Sequence, residues 1–176
     1  EVDTTSRIQV AMISDGFPHY VHLIEEKLFW NVFESNATFR TNGALFEEAL
    51  QAASDAMEPE LKIPYETATR KYRNDYEEIL FAVADGHELQ RPSHEIYRSY
   101  FRIMESMGQE PLSRQQFNNR MNNLKKEAYA SILSGTRQGW YEFSEKVIRG
   151  YARLRAVQKG VLLEAEHPEQ KRRFKW

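Results

Sequence analysis

The chain has 176 residues, a formal net charge of −2 and no cysteine. A chain of this length removes roughly 70% of its unfolded surface from water, so its core needs neither a disulfide nor a structural metal. The lack of cysteine excludes thiol catalysis, cysteine-bound zinc and a disulfide scaffold, and we expect a cytoplasmic protein. No apolar run approaches the roughly 18 residues of a membrane span, so we expect no membrane partner.

Positive charge is concentrated in the last third of the chain. Residues 1–112 carry 10 Lys and Arg against 20 Asp and Glu, a balance of −10. Residues 113–176 carry 14 against 6, a balance of +8. A basic segment on an acidic body is typical of nucleic-acid-binding proteins, although a solvated surface without a ligand would give the same balance.

The first half of the chain predicts a small helical bundle. Residues 7–33 carry apolar side chains at spacings of three and four, with a break at 15–18 where Pro18 suits a first helical turn. Residues 35–43 predict a loop, and residues 44–57 predict a strongly amphipathic helix. Proline ends or begins helices, so we expect Pro59 to close this helix and Pro64 to begin another.

The second half predicts a winged helix-turn-helix with a small β-hairpin. Its predicted elements are one or two helices within 65–85, a helix that Ser93 caps and Gly108 ends, a helix that Ser113 caps, strands at 129–133 and 140–143, and a last helix at 145–158. The glycine-flanked turn at 135–139 joins the two strands. The predicted fold class is therefore mainly α, a helical bundle followed by a winged helix-turn-helix.

The helix after Ser113 is the candidate DNA-recognition element. Its apolar positions leave Arg, Asn and Gln side chains facing outward, and these side chains can make paired contacts to guanine or adenine edges. Lysines at its end suit phosphates, and an arginine on the hairpin turn suits a minor groove or the backbone. The candidate DNA-binding residues are Arg114, Gln115, Asn118, Asn119, Arg120, Asn122, Lys125, Lys126 and Arg137. The alternative is a polar face that contacts a protein.

The last helix is basic on one side and offers two interpretations. Its cations could extend a phosphate-contacting surface, or they could form a solvated face without a ligand; they are Lys146, Arg149, Arg153 and Arg155. The basic tail beyond it invites the same two interpretations. Large aromatic residues are expected to pack in the core or between domains; they are Trp30, Tyr97, Tyr100, Trp140 and Tyr141.

Catalytic and metal sites find little support in the sequence. His19, His22 and Glu25 share a helical face, but a fourth zinc ligand is not apparent, so we expect no metal. Adjacent glutamates point about 100° apart on a helix and cannot converge on one bond, and no nucleophile motif is present. We therefore expect that the chain by itself is not an enzyme; the alternative is an enzyme whose helical active site matches no known motif.

Three segments resemble one family. Residues 76–84, 95–100 and 110–117, followed by Leu124, resemble the winged-helix domain of the origin-recognition and replication-licensing group of AAA+ ATPases. In that family a tyrosine-rich second helix likewise precedes a Pro-Leu-Ser turn into the recognition helix. Residues 16–19 open a helix that resembles the sensor-2 start of an AAA+ lid, including the lid of transposition-associated ATPases.

The resemblance implies a C-terminal piece of a larger ATPase. Residues 1–64 would be a helical lid-like domain, residues 65–160 the winged helix and residues 161–176 a charged C-terminal tail. The intact parent would use ATP and magnesium, and His19 stands where the family usually has the arginine that contacts the γ-phosphate. The chain has no phosphate-binding Walker A sequence, so it cannot hold a triphosphate by itself.

This resemblance also suggests a role and partners. The lid would couple the nucleotide state to the winged helix, which would bind duplex DNA in replication, transposition or defence. A protein-interaction module that docks a partner protein or a neighbouring protomer is the alternative.

Overall fold

The computed structural model describes residues 2–35, 41–57, 59–70, 75–135 and 137–163. These ranges are mainly helical and contain one small antiparallel sheet. The helices are α1 Thr4–Ser14, α2 Pro18–Glu34, α3 Gly43–Asp55, α4 Pro59–Arg70, α5 Tyr76–Ala84, α6 Ser93–Ser106, α7 Arg114–Asn123 and α8 Lys146–Gln158, and the strands are β1 Arg91–Pro92, β2 Leu133–Ser134 and β3 Trp140–Phe143.

Helices α1–α3 pack together and against α8, whereas α4 packs on α5, α8 and residues 127–129. Local signals set the ends of these helices. Asp3 caps α1 by accepting a hydrogen bond from the Ser6 amide at 2.9 Å, and Asn42 caps α3 in the same way. The predicted break at 15–18 is confirmed, since Asp15 adopts a left-handed conformation and Pro18 begins α2. The prediction that Pro64 begins a helix is wrong. Pro64 lies inside α4, in its second turn, where the missing amide removes one backbone hydrogen bond.

Elements α5 to β3 follow the order of a winged helix-turn-helix: helix, strand, helix, helix, strand, strand. The sheet order is β1-β3-β2, with Arg91 opposite Tyr141 and Leu133 opposite Phe143. The prediction of a two-stranded hairpin is incomplete, because β1 adds a third strand. A strand of two residues is too short to show the alternation of apolar and polar side chains by which a strand is predicted.

Two local predictions in the winged helix are wrong. The strand predicted at 129–133 is replaced by a 3-10 turn, Glu127–Tyr129, followed by Ala130 and Ser131 with positive φ, so that β2 begins only at Leu133. Ser93 does not cap α6, because it is the first residue of the helix and Pro92 takes the cap position. Its hydroxyl instead donates to Asn118 Oδ1 and accepts from Arg114.

The bundle and the winged helix share one continuous apolar core. Every residue of α5 from Ile79 to Ala84 is buried, and α8 packs on α1, α3, α4 and α5. The predicted boundary between residues 64 and 65 falls inside α4, and the division into three parts stays a prediction. Most of the predicted tail, 164–176, lies outside the described residues. Within the described ranges, no helix combines the length and apolarity needed to cross a bilayer.

Candidate nucleic-acid interface

Helix α7 is held rigidly and presents one polar face. A reciprocal capping box starts it, in which Ser113 and Gln116 each satisfy the other's backbone amide. Phe117, Met121 and Leu124 are fully buried, as the sequence predicted. The Phe117 ring packs 5.0 Å from the Tyr97 ring, measured between centroids, so the helix is anchored to α6. Side chains on the opposite face are therefore displayed on a fixed element.

Three amide side chains form an exposed stripe on α7. Gln115, Asn119 and Asn122 are all exposed, and their spacings of four and three place them on one face of the helix. The Tyr141 hydroxyl donates to Asn122 Oδ1 at 3.2 Å and so orients that amide. Within the described residues, Gln115 and Asn119 have no side-chain hydrogen-bond partner. The stripe is the part of α7 that a ligand can reach directly.

Arg114 is occupied by contacts within the protein. Its guanidinium donates to the Ser93 carbonyl at 3.1 Å and to the Ser93 hydroxyl at 3.0 Å. The same group lies 4.7 Å from the centre of the Tyr97 ring. Ser93 also donates to Asn118 Oδ1 at 3.2 Å, so Asn118 belongs to the same set of contacts. These interactions fix the start of α7 against the start of α6.

Arg120 is also held by the protein. One of its terminal nitrogens lies 3.8 Å from the Asp75 carboxylate, and its guanidinium lies 5.4 Å from the centre of the Tyr76 ring. Its Nε is buried and makes no hydrogen bond to any residue that the structure describes. DNA contact by Arg114 and Arg120 stays a prediction, but each would have to exchange an internal partner for it.

Two lysines at the end of α7 are exposed. Lys125 Nζ lies 4.8 Å from the centre of the Tyr141 ring, and Lys126 Nζ donates to Asn123 Oδ1 at 2.7 Å. Asn123 in turn donates to the Tyr76 hydroxyl, so this end of the helix is tied to α5. The ammonium groups of both lysines remain accessible to a ligand, while the side chains that they contact are held in place.

The wing carries a further exposed cation. Arg137 is exposed, and its guanidinium lies 5.3 Å from the centre of the Trp140 ring. Gly135 passes so close to the Trp140 carbonyl that no side chain would fit there, and Gly139 has a φ of +78°. The glycines thus allow the tight turn, as the sequence predicted, and the turn displays Arg137.

Both interpretations of the basic last helix are wrong for Arg149 and Arg153, because both side chains are buried. Arg153 donates to the carbonyls of Ala84, Gly86 and Met12 at 2.6–3.0 Å, and Arg149 donates to the Gly86 carbonyl. These carbonyls include the negative end of α5, which favours cations. Burial lowers the pKa of Arg149 to about 10 and also lowers the pKa of Arg153.

Glu77 of α5 forms ion pairs with two more cations of the basic segment. Arg155 lies 3.5 Å from one carboxylate oxygen of Glu77, and Lys159 pairs with the other. Since four cations of α8 and its end are engaged internally, the free positive surface is smaller than the balance of +8 suggests. Lys146 is exposed. The tail cations from 171 to 175 lie outside the described residues.

The remaining predicted sites are dispersed. His19 is exposed on the first turn of α2, with its ring 5.6 Å from the Tyr20 ring. In the part of the chain that the structure describes, no three His, Asp or Glu side chains are grouped to hold a metal ion. The packing prediction is wrong for Trp30, which is 49% exposed and contacts the exposed rings of Phe29 and Phe33.

Two residues that organise the candidate interface were not among the predicted site residues. Ser93 holds Arg114 and Asn118, and Tyr141 orients Asn122 and lies under Lys125. The alternation in 140–143 could have placed Tyr141 on the inner side of its strand, but not beneath the end of α7.

Comparison with protein-family models, with curated proteins and with solved structures found no match to this chain.

Proposed function

We propose that the chain binds duplex DNA through α7 and the wing. The observation that carries this proposal is the exposed amide stripe on α7, with the exposed Lys125 and Lys126 after its end and the exposed Arg137 on the wing. A major groove is about 12 Å wide and admits an α-helix, amides can contact base edges, and cations can contact phosphates.

The chain is proposed to act as the C-terminal part of an AAA+-type ATPase in replication or transposition, in the cytoplasm. What supports this is the sequence resemblance, together with α8, whose contacts with both the bundle and α5 would transmit a movement of one to the other. His19 is exposed, but the chain has no Walker A sequence, so its own residues do not fit a triphosphate and magnesium. Any nucleotide step therefore belongs to the parent, and the chain alone is proposed to be no enzyme.

A salt titration of duplex binding tests the proposal. Three phosphate contacts predict a slope of log affinity against log salt of about −2.7, at about −0.9 per contact. We expect micromolar affinity at low salt and a steep loss as salt rises. The K125Q/K126Q double variant should lower the affinity at low salt and flatten the slope by about 1.8.

A matched control separates a local contact from net charge. The R7Q/K27Q variant also removes two positive charges, but it removes them from α1 and α2. It should leave both the affinity for duplex DNA and the salt slope nearly unchanged. Absence of binding to any duplex at low salt would contradict the proposal.

A protein-interaction module is the second candidate, and one observation favours it. Four cations of the basic segment, Arg149, Arg153, Arg155 and Lys159, are held internally by Asp15 and Glu77, which reduces the positive surface that is available to DNA. In this case the winged helix would dock an acidic partner or a neighbouring protomer. The same titration discriminates the two, because a protein-docking surface predicts no measurable duplex binding.

A further inference from the structure

The side chains that α7 exposes are chemically uniform, and this bears on which bases it would read. Arginine is the side chain best suited to guanine, whereas asparagine and glutamine pair with the N6 and N7 edge of adenine. The two arginines of α7 are both occupied, Arg114 by Ser93 and Arg120 by Asp75. The exposed stripe therefore offers amides and no guanidinium.

The spacing of the stripe suits consecutive base pairs. From Gln115 to Asn122 the helix rises about 10 Å, at 1.5 Å per residue. Base pairs are stacked about 3.4 Å apart, so the same length covers about three steps, which join four base pairs. Asn119 lies between the other two amides and has no side-chain hydrogen-bond partner within the described residues.

Tyr141 gives Asn122 a defined orientation. Its hydroxyl donates to Asn122 Oδ1 at 3.2 Å, which leaves Nδ2 as a donor and the second lone pair of Oδ1 as an acceptor. Adenine N7 accepts and adenine N6 donates, so the oriented amide matches that edge. Tyr141 is buried, and its position is maintained by β3.

We propose that α7 reads adenine in the major groove through Gln115, Asn119 and Asn122, with Asn119 as the main specificity determinant and Tyr141 as a positioning residue. This inference rests on the proposed duplex binding. Lys125 and Lys126 then contribute affinity without sequence preference, since phosphate contacts carry no base information.

Selection and atom replacement test the inference with the 176-residue chain. Selection from a randomised duplex pool should enrich adenine within about four consecutive base pairs, the length that the stripe spans. The enriched duplex is then remade with 7-deazaadenine, which keeps base pairing and the minor groove but removes the N7 acceptor. Affinity should fall about tenfold for each amide contact that is lost.

Variants assign the effect to the stripe. Asn119→Ala should bind the enriched duplex about tenfold more weakly than the wild type does. The loss should be smaller on the 7-deazaadenine duplex, since the hydrogen bond to N7 is already absent there. Tyr141→Phe should reduce the preference for adenine while it preserves the salt slope. Gln109→Ala removes an exposed amide outside α7 and serves as the matched control.

Each outcome bears on one proposal. Equal affinity for the adenine and 7-deazaadenine duplexes, or enrichment of G·C pairs, overturns the adenine inference while salt-dependent binding still supports the proposed function. No binding to any duplex overturns both. Circular dichroism of each variant checks that the fold is retained.

Discussion

Arg153 of α8 and Asp15 of the α1–α2 turn form an ion pair at 2.9 Å, and the two side chains are 5% and 15% exposed. Asp15 also lies 3.5 Å from Arg149, so one carboxylate serves two buried guanidiniums. The other partners of these arginines are carbonyls of α1 and of the end of α5. This cluster therefore joins the helical bundle to the winged helix through charge as well as through apolar packing.

Removal of the Asp15 charge should destabilise the fold strongly. Asn is tolerated in the left-handed conformation at this position, so Asp15→Asn isolates the loss of charge. Two buried cations would lose their carboxylate, and we expect a loss of about 3–5 kcal/mol in the free energy of unfolding. Urea unfolding followed by circular dichroism measures it. Asp55→Asn, on the exposed face of α3, should change the same quantity by less than about 0.5 kcal/mol.

Gly150 lies where α8 crosses the α1–α2 turn. A Cβ at this position would lie 2.8 Å from the Ile13 carbonyl oxygen and would also overlap the Tyr20 ring. The backbone oxygen cannot move aside cheaply, so Gly150→Ala should cost about 1–3 kcal/mol or more of stability.

Gly43 offers the matched control for this substitution. It begins α3, and a methyl group added at its Cα would meet open space, so Gly43→Ala should be neutral or stabilise by about 0.4–1 kcal/mol. Thermal and urea unfolding of both variants test the pair. Equal effects of the two substitutions would contradict the close approach at Gly150.

Alkaline pH should destabilise the protein through its tyrosines. Burial raises the pKa of Tyr100 to about 12 and raises the pKa of Tyr20 and Tyr65 as well, from the ordinary value of 10.0. Above pH 10 the unfolded chain releases these protons while the folded chain retains them. Stability is therefore fully present below pH 10 and falls as pH rises toward 12, by at most about 1.4 kcal/mol per pH unit for each tyrosine.

Arg149 opposes this trend, because its lowered pKa makes folding more favourable as pH rises from about 10 toward 12.5. Tyr141 and Tyr151 also have raised pKa values, so the tyrosines should outweigh Arg149 and Arg153. Urea midpoints measured between pH 8 and 11 check the sign, and Tyr100→Phe should flatten the decline. A midpoint that rises throughout this range would contradict the prediction.

The wing should contribute affinity without base preference. Arg137→Ala removes one exposed cation, so the affinity for every duplex should fall alike and the salt slope should lose about 0.9. The preference between adenine and 7-deazaadenine should be unchanged, because Arg137 is not part of the amide stripe. Fluorescence anisotropy across salt concentrations measures both quantities. Arg7→Ala, on α1, is the matched loss of one exposed charge, and it should alter neither.

Much of the fold could be predicted from the sequence, because its signals are local. The break at 15–18, the cap at Ser113 and the apolar side of α7 depend on residues within one or two turns of each other. The order of helices and strands that defines the winged helix follows from the same periodicity and from the glycine turn at 135–139. The sequence predicted neither strand β1 nor the restriction of β2 to two residues, because strands this short depend on pairing partners elsewhere in the chain.

The sequence by itself determined which side chains α7 carries and which of its positions are apolar. Only the tertiary structure decided which cations remain available. A long cationic side chain takes its partner from whatever packs beside it, and the partners here lie up to 141 residues away in sequence, as Met12 does from Arg153. Arg149 and Arg153 are thus buried and bind carbonyls at the end of α5. Arg114 and Arg120 have partners beside α7. The amide stripe, Lys125 and Lys126 remain exposed.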